Sequence, residues 1–180
     1  MKTITRNRPL AALAIGGVFA AGGLPCTAAA QTTSIKAEYL MTLYGTLKQQ
    51  TVNTGLRVIE VSSGWVEGPF IKGKLLAPSG DWYRNLPSGV GRVDVRLVIQ
   101  TDDNQMIYAS YNGVQQCSKE ATEKLLNNDL VRGDECYFIT APTFETSSEK
   151  YSWLNAVQTV GKMVELKRGD HVKYDIFIIK

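Results

Sequence analysis

The chain has a single histidine, His171, among 180 residues, and that scarcity tells against most hydrolytic machinery. A Ser-His-Asp or Cys-His arrangement would have to be built on it. It follows Gly169-Asp170, a turn sequence, where a lone imidazole is ordinarily solvated. Cysteine is also scarce: Cys26, Cys117 and Cys136 with one histidine do not make a zinc set, and no metal is expected. No glycine-rich loop leads from a strand into a helix, so nucleotide binding has no support and no cofactor is expected. An apolar run of the roughly 20 residues needed to cross a bilayer is missing too. The nearest, Leu10 to Leu24, is shorter and holds four glycines.

That run belongs to a segment with the three-part form of a secretory signal. Lys2, Arg6 and Arg8 make a basic start, the apolar run follows, and small residues end at Ala28-Ala29-Ala30. Cleavage after Ala30 is predicted, leaving residues 31–180 as one domain, periplasmic or secreted, with no membrane anchor. Lipid attachment at Cys26 is disfavoured because Pro25 stands where a small residue is expected. The three basic residues of the leader are part of a total of 20 against 17 acidic, so the remainder carries 17 of each. A neutral chain without a basic stripe gives no electrostatic reason to expect nucleic acid. An oxidising compartment makes Cys117 and Cys136 candidates for a disulfide, closing a loop of about 20 residues worth roughly 3 kcal/mol in the chain-entropy picture. Two unrelated core thiols are the alternative.

What the sequence has in quantity is alternation. Gly91 to Thr101 is the clearest strand, with Val93, Val95, Leu97 and Ile99 on one face and Asp94, Arg96, Val98 and Gln100 on the other. Strands are also predicted from Ile35 to Leu47, Leu56 to Val61, Phe70 to Leu76, Gln105 to Asn112 and Val172 to Ile179. Gly64 to Pro69 reads as a corner, because Pro69 lacks a ladder donor and the glycines permit a sharp bend. Ala77-Pro78-Ser79-Gly80 reads as a turn. Ser118 to Asn128 changes pattern: Ser118 caps, Glu120 suits a first turn, and Asn127-Asn128 ends one short helix. Tyr137 to Asn155 reads as an aromatic hairpin, with Ser147 to Lys150 as its polar connection. About nine short strands and one helix point to an all-β fold. A single closed antiparallel barrel is preferred to a sandwich, although a sandwich with a solvated face gives the same alternation.

The order of several short pieces carries a resemblance. They are Gly64-Trp65-Val66-Glu67-Gly68-Pro69 with Gly73, Gly80-Asp81-Trp82, and Asp94-Val95-Arg96 leading to Thr101-Asp102-Asp103. Tyr137-Phe138, Pro142, Phe144-Glu145-Thr146, Tyr151 and Trp153-Leu154-Asn155 complete the series. From about Glu38 to its end the chain resembles the domain of unknown function 3237 family, also called uncharacterised protein family 0311. The resemblance implies a small barrel similar to the lipocalin-like and allene-oxide-cyclase-like barrels. Asn104 departs from the glycine usual after the Asp pair, and a secretory signal is not a general feature of the family.

Carboxylates, tyrosines, tryptophans and an arginine remain to carry chemistry. Asp94 and Arg96 share a strand face, and in a barrel with a polar lumen both would point inward, as base and oxyanion holder. A structural ion pair is the competing account. Glu145 reaches the same cavity from the rim or is a solvated hairpin residue, and Tyr137 serves as an acid. Asp81 and Trp82 sit at a pocket mouth or in an ordinary turn. Tyr137, Tyr151, Trp153 and Asn155 form a ring-stacking wall with an orienting amide, or simply core. The leading expectation is a barrel that binds a small apolar or aromatic molecule. The runner-up is a cofactor-independent isomerase, cyclase or lyase working by proton transfer, and the third is an interaction module without a pocket. The aromatic segment around Trp65 suggests a homodimer.

Overall fold

Alternating apolar and polar side chains give long strands, and the strands close on themselves. In the computed structural model, which describes residues 34–180, Ser34–Lys180 forms one compact unit. The predicted leader and its cleavage after Ala30 lie outside the described residues. Strands β1 Ala37–Thr51, β2 Leu56–Glu67, β3 Lys72–Asn85, β4 Gly91–Thr101 and β5 Met106–Cys117 form an antiparallel meander. The next position in the ring is a broken strand of three pieces, β6 Leu130–Arg132, β7 Cys136–Thr140 and β8 Thr143–Glu145. Its β7 and β8 pieces pair with β5, while β6 and β7 pair with β9 Thr159–Lys167. Strand β10 His171–Ile179 pairs with both β9 and β1 and completes a closed eight-stranded antiparallel barrel. Closure leaves no strand edge in the ring without a partner strand.

An eight-stranded barrel has an interior narrow enough for side chains to fill, with room for at most one small ligand. The apolar face of each strand therefore goes in: Val93, Val95, Leu97 and Ile99 from β4, and Ile107, Ala109 and Tyr111 from β5, are buried. Asp94 and Arg96 consequently face out, which corrects the expectation that they point into the lumen. They form an ion pair on the outer wall at 2.5 Å.

Two segments read as breaks are irregular strands instead. β2 runs straight through Gly64 to Glu67, with its register against β1 shifting between Thr46 and Leu47. Gly64 is needed for close approach, since a Cβ there would lie 2.1 Å from the Tyr44 carbonyl oxygen. β3 likewise continues through Ala77 to Gly80, where four residues of β3 advance against two of β4. Ser79 repairs the bulge: its hydroxyl accepts from the Val98 N–H at 3.0 Å and donates to the Leu76 carbonyl at 2.6 Å. The bulge keeps parity, so Leu75, Asp81 and Tyr83 all face inward.

The helix α1, Lys119–Leu126, forms as its sequence indicates. The Ser118 hydroxyl accepts from the Ala121 N–H at 3.1 Å, and Asn128 follows with φ 58°. The aromatic hairpin does not form. Its first strand is β7, but Ser152–Ala156 is a 3-10 helix, and the polar segment before it is held as a loop. The Asn155 amide clasps the backbone of Thr146 in both directions, at 2.8 and 2.9 Å. The Tyr151 hydroxyl donates to Asp103 at 3.1 Å and Lys150 pairs with the same carboxylate at 2.6 Å. These local bonds satisfy polar groups that a strand would have to leave to a neighbour. The loop and 3-10 helix thereby fasten onto the β4–β5 turn and seal that end of the barrel over fully buried Leu40, Ile99 and Leu154.

Candidate functional site

The other end of the barrel is not sealed in this way. There the β1–β2, β3–β4 and β9–β10 turns surround a cavity of about 260 Å³, and α1 lies across it through Thr122, Leu125 and Leu126. The floor is apolar, from Ile59, Val61, Val93, Val95 and Phe138. Polar groups project into it from four strands: Arg57 from β2, Asp81 and Tyr83 from β3, Tyr111 and Gln115 from β5, and Tyr174 from β10.

Cross-strand register explains this set. Arg57 lies opposite Tyr83, and Ile59 opposite Asp81, so an inward pair of polar residues sits one step above a mixed pair. The Arg57 guanidinium packs over the Tyr83 ring, 4.2 Å from its centroid. Tyr83 can press against β4 because residue 91 is glycine; a Cβ there would lie 2.0 Å from the phenol oxygen. Tyr174 makes edge contacts with both Tyr111 and Phe138, with centroids 6.2 and 5.4 Å apart.

Asp81 is the central group. It is 8% exposed, and one carboxylate oxygen accepts the backbone N–H of Asp94 at 2.9 Å. Burial pushes its carboxyl up to about 6, with the charge of Asp94 adding to the rise and the Asp94 N–H and Arg57 opposing it. Burial also raises the phenols of Tyr83, Tyr111 and Tyr174, and the Asp81 charge adds to each rise. All three are therefore neutral donors at ordinary pH. The cavity combines one proton acceptor poised near neutrality, three phenols, the amides of Gln49, Asn85 and Gln115 and two guanidiniums, Arg57 and Arg168, around an apolar floor. Among the described residues no three His, Cys, Asp or Glu side chains gather around a common metal position.

Of the residues singled out in the sequence, Asp81 lies in the cavity, and Cys117 lines it at the foot of α1, bonded across the β5–β7 pair to Cys136. The others are elsewhere. Asp94 and Arg96 are on the outer wall, with Trp82 (41% exposed) beside them and its ring 5.7 Å from the Arg96 guanidinium carbon. Glu145 is exposed on β8, and Tyr137 is 62% exposed, because Phe138 and Thr140 take the inward positions of β7. Tyr151, Trp153 and Asn155 belong to the sealed end, where Tyr151 and Asn155 hold the loop in place. Arg57, Tyr83, Tyr111, Gln115, Arg168 and Tyr174 were not among the residues picked out. Their signal was present in part, since Arg57 precedes Ile59 and Val61 at strand spacing and Tyr174 sits between Val172 and Ile176.

The pattern of the family described as proteins of unknown function (DUF3237) matches residues 35–179. The chain belongs to this family. A UPF0311 protein of Clostridium acetobutylicum is 35% identical over 98 residues, which are 54% of this chain and 62% of that protein, just under two thirds of its length. The crystal structure of a conserved protein of unknown function from Rhodopseudomonas palustris superimposes with a TM-score of 0.77 at 25% identity, covering 83% of this chain and 99% of that one. A β-barrel-like protein from Acinetobacter baumannii gives a TM-score of 0.66 at 28% identity over 84% and 99%. The barrel of this DUF3237 protein is thus shared with relatives across nearly their full crystallised length.

Proposed function

We propose that this DUF3237 protein takes a small, largely apolar or aromatic molecule into the open end of its barrel, with Asp81 as the central polar anchor. The observation that carries this reading is a buried carboxyl facing an apolar cavity with phenols around it, while the opposite end of the same barrel is sealed. A cavity of about 260 Å³ lies just below the roughly 300–1,000 Å³ of drug-sized pockets, which limits the occupant to one or two fused rings. Placement in the periplasm or outside the cell belongs to the same proposal, supported by the form of the first thirty residues and by the Cys117 and Cys136 pairing.

Native mass spectrometry of the protein purified from its own cells tests the reading. A retained small molecule is the expected result. An empty barrel that also takes up no member of a panel of one- and two-ring aromatic compounds at millimolar concentration overturns it.

A second reading is favoured by the burial of Asp81 in the cavity, which pushes its carboxyl up to about 6. A base with that value works close to neutrality, and a phenol of Tyr83 or Tyr111 can supply a hydrogen bond to a developing oxyanion. A proton-transfer enzyme, an isomerase, cyclase or lyase, would use this equipment without a cofactor. Asp81→Asn separates the two readings. Binding alone falls modestly, whereas turnover of a bound substrate falls by about two to four orders of magnitude.

A further inference from the structure

Two arginines at the cavity mouth have no carboxylate partner among the described residues. Arg57 lies at the start of β2 and Arg168 in the β9–β10 turn, and both line the cavity. Other lysines and arginines also lack an acid partner among the described residues, but Arg57 and Arg168 are the two that line the cavity. The Nε of Arg57 is shut off from solvent without a hydrogen-bond acceptor, the one such side-chain atom among the described residues. A buried donor left unsatisfied is costly, more so on a charged group, and a guanidinium presents its donors in a planar fork that matches a carboxylate.

Asp81 does not fill this role. Its bonded partner is the backbone N–H of Asp94, and its carboxyl titrates above the ordinary value, whereas a close guanidinium pair would hold it below. Both guanidiniums line the same mouth, with Arg57 4.2 Å over the Tyr83 ring. The mouth therefore carries two guanidiniums against the single buried carboxyl of Asp81, and neither guanidinium is ion-paired with it.

We infer that the ligand of this cavity is an organic anion, a carboxylate on an aromatic or apolar body, whose head is held by Arg57 and Arg168 at the mouth while its body lies on Val93, Val95 and Phe138. This rests on the ligand-binding reading above and adds the chemical class of the ligand.

The test compares acids with their neutral amides: benzoate with benzamide and 2-naphthoate with 2-naphthamide, titrated calorimetrically into the full chain purified from its own cells. The acids should bind roughly ten- to a hundred-fold more tightly than the amides, the range set by a hydrogen-bonded charge. In Arg57→Gln, and further in Arg57→Gln with Arg168→Gln, that preference, read as the ratio of acid to amide affinity within each variant, should shrink towards one. Equal affinity for acid and amide in the unaltered protein overturns the anion site and leaves the cavity reading standing. A preference that survives the double substitution overturns the assignment to these arginines. If neither series binds at millimolar concentration, both readings fall together. Circular dichroism of each variant checks that loss of preference is not loss of fold.

Discussion

Asp81 and Asp103 belong to opposite ends of one barrel, and their carboxyls move in opposite directions. Asp103, in the β4–β5 turn, is held down at about 2 by Lys150 and by hydroxyls of Thr101 and Tyr151. Asp81 is pushed up to about 6 by burial, with one backbone N–H as its hydrogen-bond donor. At the first end every element serves closure: the 3-10 helix covers the core, and side chains clasp the loop that carries it. At the second end the polar groups project into open space beneath a short helix. A domain folding for stability alone would treat its two ends alike. Incompletely partnered polar groups are what a binding or catalytic site leaves behind, so the difference supports the proposal that places the ligand at that end.

The sharpest way to break this division is to remove packing from the sealed end. Leu154 is fully buried there, and Leu154→Ala should cost about 2–5 kcal/mol, read as a lowered urea midpoint with an unchanged slope. Tyr174→Phe, at the cavity, removes a phenol with no hydrogen-bond partner among the described residues and should change stability by less than about 1 kcal/mol. Equal losses at the two sites would mean that the ends are not differently built.

Asp81→Asn sharpens the comparison with a change of opposite sign. The native carboxyl titrates at about 6 against an ordinary 3.8, so the stability it contributes is fully present below about 4 and is lost as pH rises through about 6. That displacement is worth roughly 3 kcal/mol. The asparagine variant, whose amide oxygen can still accept the Asp94 N–H, should therefore be more stable than the parent at pH 7 by up to that amount, and nearly equal to it at pH 4. Asp103 runs the other way: its contribution is present above about 4 and is lost as pH falls through about 2. Paired denaturation curves at pH 4 and 7 measure the Asp81 difference. An Asn variant that is less stable at pH 7 would show that Asp81 holds the fold together rather than waiting for a ligand.

A smaller effect is expected at the helix over the cavity. Ser118→Ala removes the acceptor of the Ala121 N–H and should cost about 1 kcal/mol, with amide exchange rising in Lys119–Leu126 before it rises in β4. Exchange that rises equally in both would tie the helix to the global core.

The fold was more legible than the site, and particular residues show why. β4 begins and ends where alternation and turn residues put it, and Ser118 announces α1, because these signals are local. β9 was missed because Gly161 interrupts TVGKMVELK and lysines dilute its alternation. Tyr151 to Asn155 was misread as a strand because its aromatics answer to Asp103 and to a 3-10 turn, contacts that lie far away in sequence or depend on side-chain hydrogen bonds. The cavity needs four strands at once: Arg57, Asp81, Tyr111 and Tyr174 come together only after closure, and no spacing within any one strand encodes their meeting.

Asp94 and Arg96 make the smallest prediction and the most instructive one. Two charges on one strand face suggest an active site when they are imagined in the lumen, yet the opposite face of β4, with Val93, Val95, Leu97 and Ile99, is the one buried, so the charged face is forced outward. The pair is nearly half exposed on both sides, and such pairs contribute little. Arg96→Ala should therefore change stability by no more than about 0.5 kcal/mol and leave acid and amide binding untouched, since its guanidinium reaches Trp82 and Asp94 outside the wall. Asp94 acts on the cavity through its backbone N–H, which Asp94→Asn retains. The same position thus carries an amide that fixes Asp81 on the inside and an outer carboxylate whose charge raises the Asp81 carboxyl. Asp94→Asn removes the charge that adds to the rise of Asp81, so the Asp81 titration followed by NMR should move down, and a loss of binding with it would mean that the protonation of Asp81 governs the ligand.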